Sequence, residues 1–128
     1  LDWQASHARI EEARAAAAEA RYLLESQRQA VTQELVVARV SIQRAAAQVE
    51  VARKGVAAAK DDYEFSRERF RVGAGTSLEL EDAQLGLSRT RVALINALVE
   101  ARVADAALAR AEGRPIVEAL LGGPGESR

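Results

Sequence analysis

Cysteine and methionine are both absent from this 128-residue chain, and proline occurs only twice. Without cysteine there is no disulfide framework, no thiolate nucleophile and no Cys-ligated metal. The compartment stays open, because a helical periplasmic protein need not carry disulfides. Without methionine no residue is a translation start, so the expectation is a processed chain or a piece of a longer one. No apolar signal-like run follows Leu1-Asp2-Trp3. Aromatics make up only 4% of the residues, too few for a compact globule of this size to anchor its core on them. Neither sign of charge prevails: 18 basic residues face 19 acidic ones. That removes the simplest case for nucleic-acid binding, which needs a basic excess to displace counterions. His7 is the single histidine, which excludes His-pair metal sites and leaves no Ser–His pair elsewhere in the chain. The longest uncharged stretch near the middle, Val92 to Val99, is far too short to cross a bilayer. We expect no enzyme activity, no cofactor and no metal.

Alanine is what the chain has in excess, at 28 of 128 residues. Together with Glu, Leu and Arg in helical register it points to long, thinly packed helices. Between Ala5 and Val72 there is no proline and one glycine, Gly55. The first group of turn residues is Gly73-Ala74-Gly75-Thr76-Ser77, and the next is Gly113-Arg114-Pro115. The expectation is an all-α chain in three parts: a helix over about 5–72, a tip at 73–76 and a helix over about 77–112. Together these make one helical unit over 1–115, with a flexible tail at 116–128. No stretch alternates with period two for long enough to be a strand.

Seven-residue counting sets the register. Leu35, Ile42, Val49, Val56, Tyr63 and Phe70 recur every seventh position, with Ala38, Ala45, Ala52, Ala59 and Ser66 three residues behind. On the second helix Leu80, Leu87, Leu94, Ala101 and Leu108 recur in the same way, followed by Ala83, Thr90, Ala97, Ala104 and Ala111. Large alternates with small along both rows, which lets two helix axes approach closely. Phe70 with Leu80, Tyr63 with Leu87, Val56 with Leu94, Val49 with Ala101 and Ile42 with Leu108 have residue numbers that add to 150. A constant sum is the signature of antiparallel pairing, and its midpoint, residue 75, falls inside the glycine-rich turn. The fold expected is a long antiparallel helical hairpin with unequal arms. Residues 5–37 have no counterpart on the shorter helix, yet Ile10, Ala17, Leu24 and Val31 form a stripe of their own. An apolar stripe with no partner inside the chain implies one outside it.

The turn carries its own chemistry. Gly73 suits the left-handed residue that ends a helix. Thr76-Ser77-Leu78-Glu79 reads as a capping box. The run from Gly73 to Ser77 lacks the lysine of a phosphate loop and follows a helix rather than a strand, so a hairpin turn is the better reading. Glu79, Glu81 and Asp82 form an acidic group at the start of the second helix. The helix dipole accounts for Glu79 better than for Asp82. Arg67, Arg69 and Arg71 crowd the end of the first, either as cations suited to a helix C-terminus or as partners for neighbouring tips. His7 shares a column with Arg14, Arg21 and Arg28, read as a solvated polar row.

The segment from Arg69 through Val72-Gly73-Ala74-Gly75-Thr76-Ser77 to Asp82-Ala83-Gln84 resembles the tip motif of the TolC family of outer-membrane efflux proteins. The resemblance extends over about residues 3–115. It implies the C-terminal repeat of a homotrimeric channel whose helices form a periplasmic tunnel below an outer-membrane β-barrel that this segment does not include. It also implies a Gram-negative outer-membrane location and a passive export role. The implied partners are a periplasmic adaptor and an inner-membrane pump, with no nucleic acid. By position, Glu79 and Asp82 match the acidic pair near the tunnel constriction. Val72, Gly73, Ala74 and Gly75 match the tip that meets the adaptor, with Phe70, Arg71 and Thr76 beside it. Phe70 stands where a tyrosine is usual, and Gly75 where some members have a basic gate residue. Two other readings of the hairpin are the α-hairpin of a periplasmic adaptor and a structural coiled-coil arm of a larger protein.

Overall fold

The computed structural model describes residues 2–115; the tail expected at 116–128 lies outside the described residues. Two helices account for nearly all of them: α1 over Asp2–Arg71 and α2 over Ser77–Ala111, with no strand among the described residues. α1 starts three residues earlier than the sequence reading put it and stops one residue sooner. The chain divides into two compact units, the first ending at Val37 and the second beginning at Ala38.

In the first unit every described side chain up to Glu34 is exposed. Local pairs support the helix: Arg14 lies 3.0 Å from Glu11, and the Thr32 hydroxyl donates to the Arg28 carbonyl at 2.9 Å. Such pairs contribute only about 0.2–0.5 kcal/mol each. The stripe read from the sequence is solvent-facing here, with Ile10 and Leu24 each 50% exposed.

The second unit is the hairpin. The end of α1 and the whole of α2 pack along the alternating seam. Ala38, Ala45, Val49, Leu87 and Ala97 are buried, and each stands at a position the seven-residue count assigned to the seam. Ile42, Val56, Tyr63, Leu80, Leu94, Ala101 and Leu108 are half-buried at theirs. Shallow grooves on the two sides of the seam repeat the register. One brings Ala45 together with Ala104, and the other brings Val49 together with Ala101. Alanine at the contact positions is what allows this approach, since each additional methylene would force the backbones apart.

Two positions depart from the count. Phe70, placed on the seam by its period, is 46% exposed, while Arg69 beside it is half-buried. α1 ends one residue later, and the backbone of the turn, rather than α2, covers this last stretch. Ala109 is fully buried although it stands one position past the seam residue Leu108.

Outside the seam, two further apolar columns are exposed. Val51, Ala58, Phe65 and Val72 follow the seam column of α1 by two residues. Leu78, Leu85, Val92 and Val99 precede that of α2 by two. Two residues turn a helix by about 200°, so both columns face away from the seam. Their large members are 47–65% exposed.

The register is open to a direct test. Cysteines introduced at Val56 and Leu94 should crosslink under mild oxidation, while a Val56 and Leu80 pair should not. Crosslinking of the second pair alone would refute the pairing about residue 75.

Candidate functional site: the hairpin tip

The tip is built by two helix ends that close on each other. Gly73 has φ +75°, and its N–H donates to the Phe70 carbonyl at 3.1 Å while the Ala74 N–H donates to the Arg69 carbonyl at 2.8 Å. These are the two bonds of a Schellman ending, and they satisfy carbonyls that α1 would otherwise leave open. The Gly75 N–H reaches the same Arg69 carbonyl at 3.1 Å. Thr76 then starts α2 with the capping box that its sequence spells out. The Thr76 hydroxyl accepts from the Glu79 N–H, and the Glu79 carboxylate accepts from the Thr76 N–H, both at 3.2 Å. The same Schellman pair ends α2, where Gly113 (φ +72°) donates to the Arg110 carbonyl and Arg114 to that of Ala109.

Two glycines of the turn serve different purposes. Gly73 needs its left-handed backbone and has open space around it. Gly75 has no such φ, but a Cβ there would lie 3.1 Å from the Arg69 Cβ and 3.2 Å from the Phe70 nitrogen. Its role is to let the turn lie against the last turn of α1.

Arg69 ties the two helix ends together. Its Nη2 donates to the Ala74 carbonyl at 2.9 Å, its Nη1 lies 3.6 Å from the Glu79 carboxylate, and its guanidinium sits 5.8 Å from the centre of the Phe65 ring. One side chain thus bridges α1, the turn and the capping residue of α2. Sequence reasoning saw the three arginines but not this bridge, because it depends on where the turn brings the Ala74 carbonyl. Arg71 is bound locally, donating to both Glu68 oxygens at 2.8 and 2.6 Å. These bonds, and secondarily the charge of Arg67, hold the Glu68 carboxyl below the usual glutamate pKa; the same bonds raise that of Arg71. Arg67 itself has no ion pair among the described residues.

The residues singled out by sequence therefore fall into three sets. Thr76 and Glu79 are engaged in the cap, and Arg71 in its pair with Glu68. Val72, Gly73 and Ala74 are exposed at the apex, with Val72 59% and Leu78, at the start of α2, 65% open to solvent. Asp82 is exposed one turn into α2 and makes no ion pair among the described residues. Glu79 and Asp82 stand three apart and so share one helix face. No cluster of three or more metal-ligating side chains occurs among the described residues.

Compared with known protein families, residues 1–114 match the outer membrane efflux protein family. The chain belongs to that family. Neither the curated proteins nor the solved structures yield a significant match. The outer membrane efflux proteins are channel components rather than enzymes, and they work with adaptor and pump partners at the outer membrane. No helix among the described residues is long and apolar enough to cross a membrane.

Two measurements probe the tip. Gly75→Ala should lower hairpin stability by about 1–3 kcal/mol in urea titration through the clash with Arg69 and Phe70. Gly73→Asn should cost less than about 1 kcal/mol, because asparagine tolerates the left-handed region. The Glu68 pair has a definite pH sign. Because its folded pKa is depressed, its contribution is complete above the unfolded glutamate value and is lost as pH falls through the folded one. A carboxyl titration by NMR should find Glu68 below ordinary glutamate, and Arg71→Gln should bring it back up. An unmoved Glu68 would remove Arg71 as the cause.

Proposed function

We propose that this chain is the periplasmic tunnel segment of an outer-membrane efflux channel, a passive conduit that meets a periplasmic adaptor at its hairpin tip. The carrying observation is the tip itself: a rigidly capped turn at the end of an alanine-packed hairpin, with Val72 and Leu78 exposed at its apex in a chain of this family. Such a turn presents a fixed apolar surface to a docking partner with little ordering cost. The exposed stripe on residues 10–31 supports the same reading. The apolar face of this arm is open to water, and neighbouring tunnel helices would cover it.

In a homotrimer the acidic side chains of Glu79 and Asp82 recur around the axis below the barrel and face a narrow aqueous path. Negative charges ringed around such a path favour cations over anions. Glu79 is also committed to its cap, so Asp82 is the cleaner probe. In a channel that contains this segment, Asp82→Asn should reduce cation selectivity and weaken block by multivalent cations without loss of folding. The measurement is the single-channel reversal potential in a salt gradient. An unchanged potential would take Asp82 off the conduction path.

A further inference from the structure

Of the three arginines that end α1, one stands within the acidic group of α2. Arg67 has no ion pair among the described residues, and Arg71 is occupied by Glu68. Arg69 reaches across the turn, with Nη1 3.6 Å from the Glu79 carboxylate and Nη2 donating to the Ala74 carbonyl at 2.9 Å. That reach depends on Gly75. A Cβ there would lie 3.1 Å from the Arg69 Cβ and 3.1 Å from the Glu79 Oε2, so a side chain at 75 would press on both partners of the pair. The Ala74 bond fixes the cation where it meets the carboxylate, which a guanidinium can do because its fork serves two acceptors at once.

This contact changes the charge of one helix face. Glu79 and Asp82 share that face, while Glu81 stands about 200° around the helix from Glu79. Asp82 has no ion pair among the described residues. Two carboxylates less one guanidinium leave this face with the formal charge of a single carboxylate per hairpin. Without Arg69 it would carry that of two.

We propose that Arg69 is a specificity-determining residue of the tip: it cancels the charge of Glu79 and sets the cation preference of this face to that of Asp82 alone. The proposal rests on the conduction reading for its effect in a channel, though not for the charge balance within one hairpin. A divalent cation roughly 7 Å from the removed positive charge would gain about twofold in local concentration at physiological salt. Losing the Ala74 contact costs little, because Ala74 is exposed and water takes the place of the guanidinium.

The test has two arms. In the 128-residue chain Mn²⁺ is a mobile probe of local potential, read by NMR as paramagnetic broadening of the Glu79 and Asp82 amide signals. Arg69→Gln should about double that broadening and leave the amide of exposed Glu100 unchanged. Arg69→Lys, which keeps the charge and loses the fork, should stay at the original level. In a channel that contains this segment, Arg69→Gln should raise cation selectivity, opposite in sign to Asp82→Asn. Combined with Glu79→Gln, which restores the net charge, it should return to the original reversal potential. A role confined to holding the turn would move the Gln and Lys variants alike, and the second change would then add damage rather than cancel it. Unchanged broadening in Arg69→Gln overturns the proposal, as does a Lys variant that behaves like the Gln variant. So does a reversal potential that responds to Asp82→Asn but not to Arg69→Gln. If neither change moves the potential while the broadening follows the charge, the conduction reading alone is rejected.

Discussion

The close approach of two helices along an alanine-lined seam is the constraint on which the rest depends. Ala38, Ala45 and Ala97 are buried where a larger residue would hold the axes apart. Close axes in turn require a short, fully bonded connection, because the chain must reverse within a few residues of leaving α1. The double Schellman and capping-box closure supplies it, and Gly75 fits because the connection lies directly on the last turn of α1. Register, tip geometry and the placement of Glu79 and Asp82 all follow from that one approach.

The same packing leaves the second unit with little conventional core. Among the described residues no large side chain is fully buried, and the only buried ones larger than alanine are Val49 and Leu87. Apolar area is instead distributed over exposed columns, at the level of a protein that continues its packing with neighbours. A hairpin buried on one edge only would gain little from Phe65, Leu85 or Val92 at positions open to water. In the tunnel reading proposed above, neighbouring helices would cover these residues.

Periodicity made most of this legible in the sequence. Seven-residue spacing located Val49 and Leu87, and the constant sum placed the turn at residue 75, because a packed antiparallel pair must repeat in step. Turn chemistry was equally readable: Gly73 and the pair Thr76 and Glu79 are local devices whose partners lie within a few residues. Phe70 was misplaced for a physical reason. A period extrapolated to the last turn of a helix assumes a partner helix is still opposite, and there the turn backbone has taken its place. Arg69 was legible as a cation at a helix end but not as a bridge, since its acceptor is a backbone carbonyl positioned by tertiary geometry.

Arg69 also shows how the tip can be both rigid and available. Its guanidinium donates to the Ala74 carbonyl, pairs with the Glu79 carboxylate at 3.6 Å and sits over the Phe65 ring, all within one hairpin. The turn is thereby fixed without using Val72 or Leu78, whose side chains stay open. Glu79 is held in the cap by its two hydrogen bonds with Thr76, which lowers its availability as a free carboxylate. Asp82, three residues on, is exposed and makes no ion pair among the described residues. Hydrogen bonding at the helix start therefore separates two neighbouring acids: one carboxylate holds the fold of the tip, and the other stays exposed beside it.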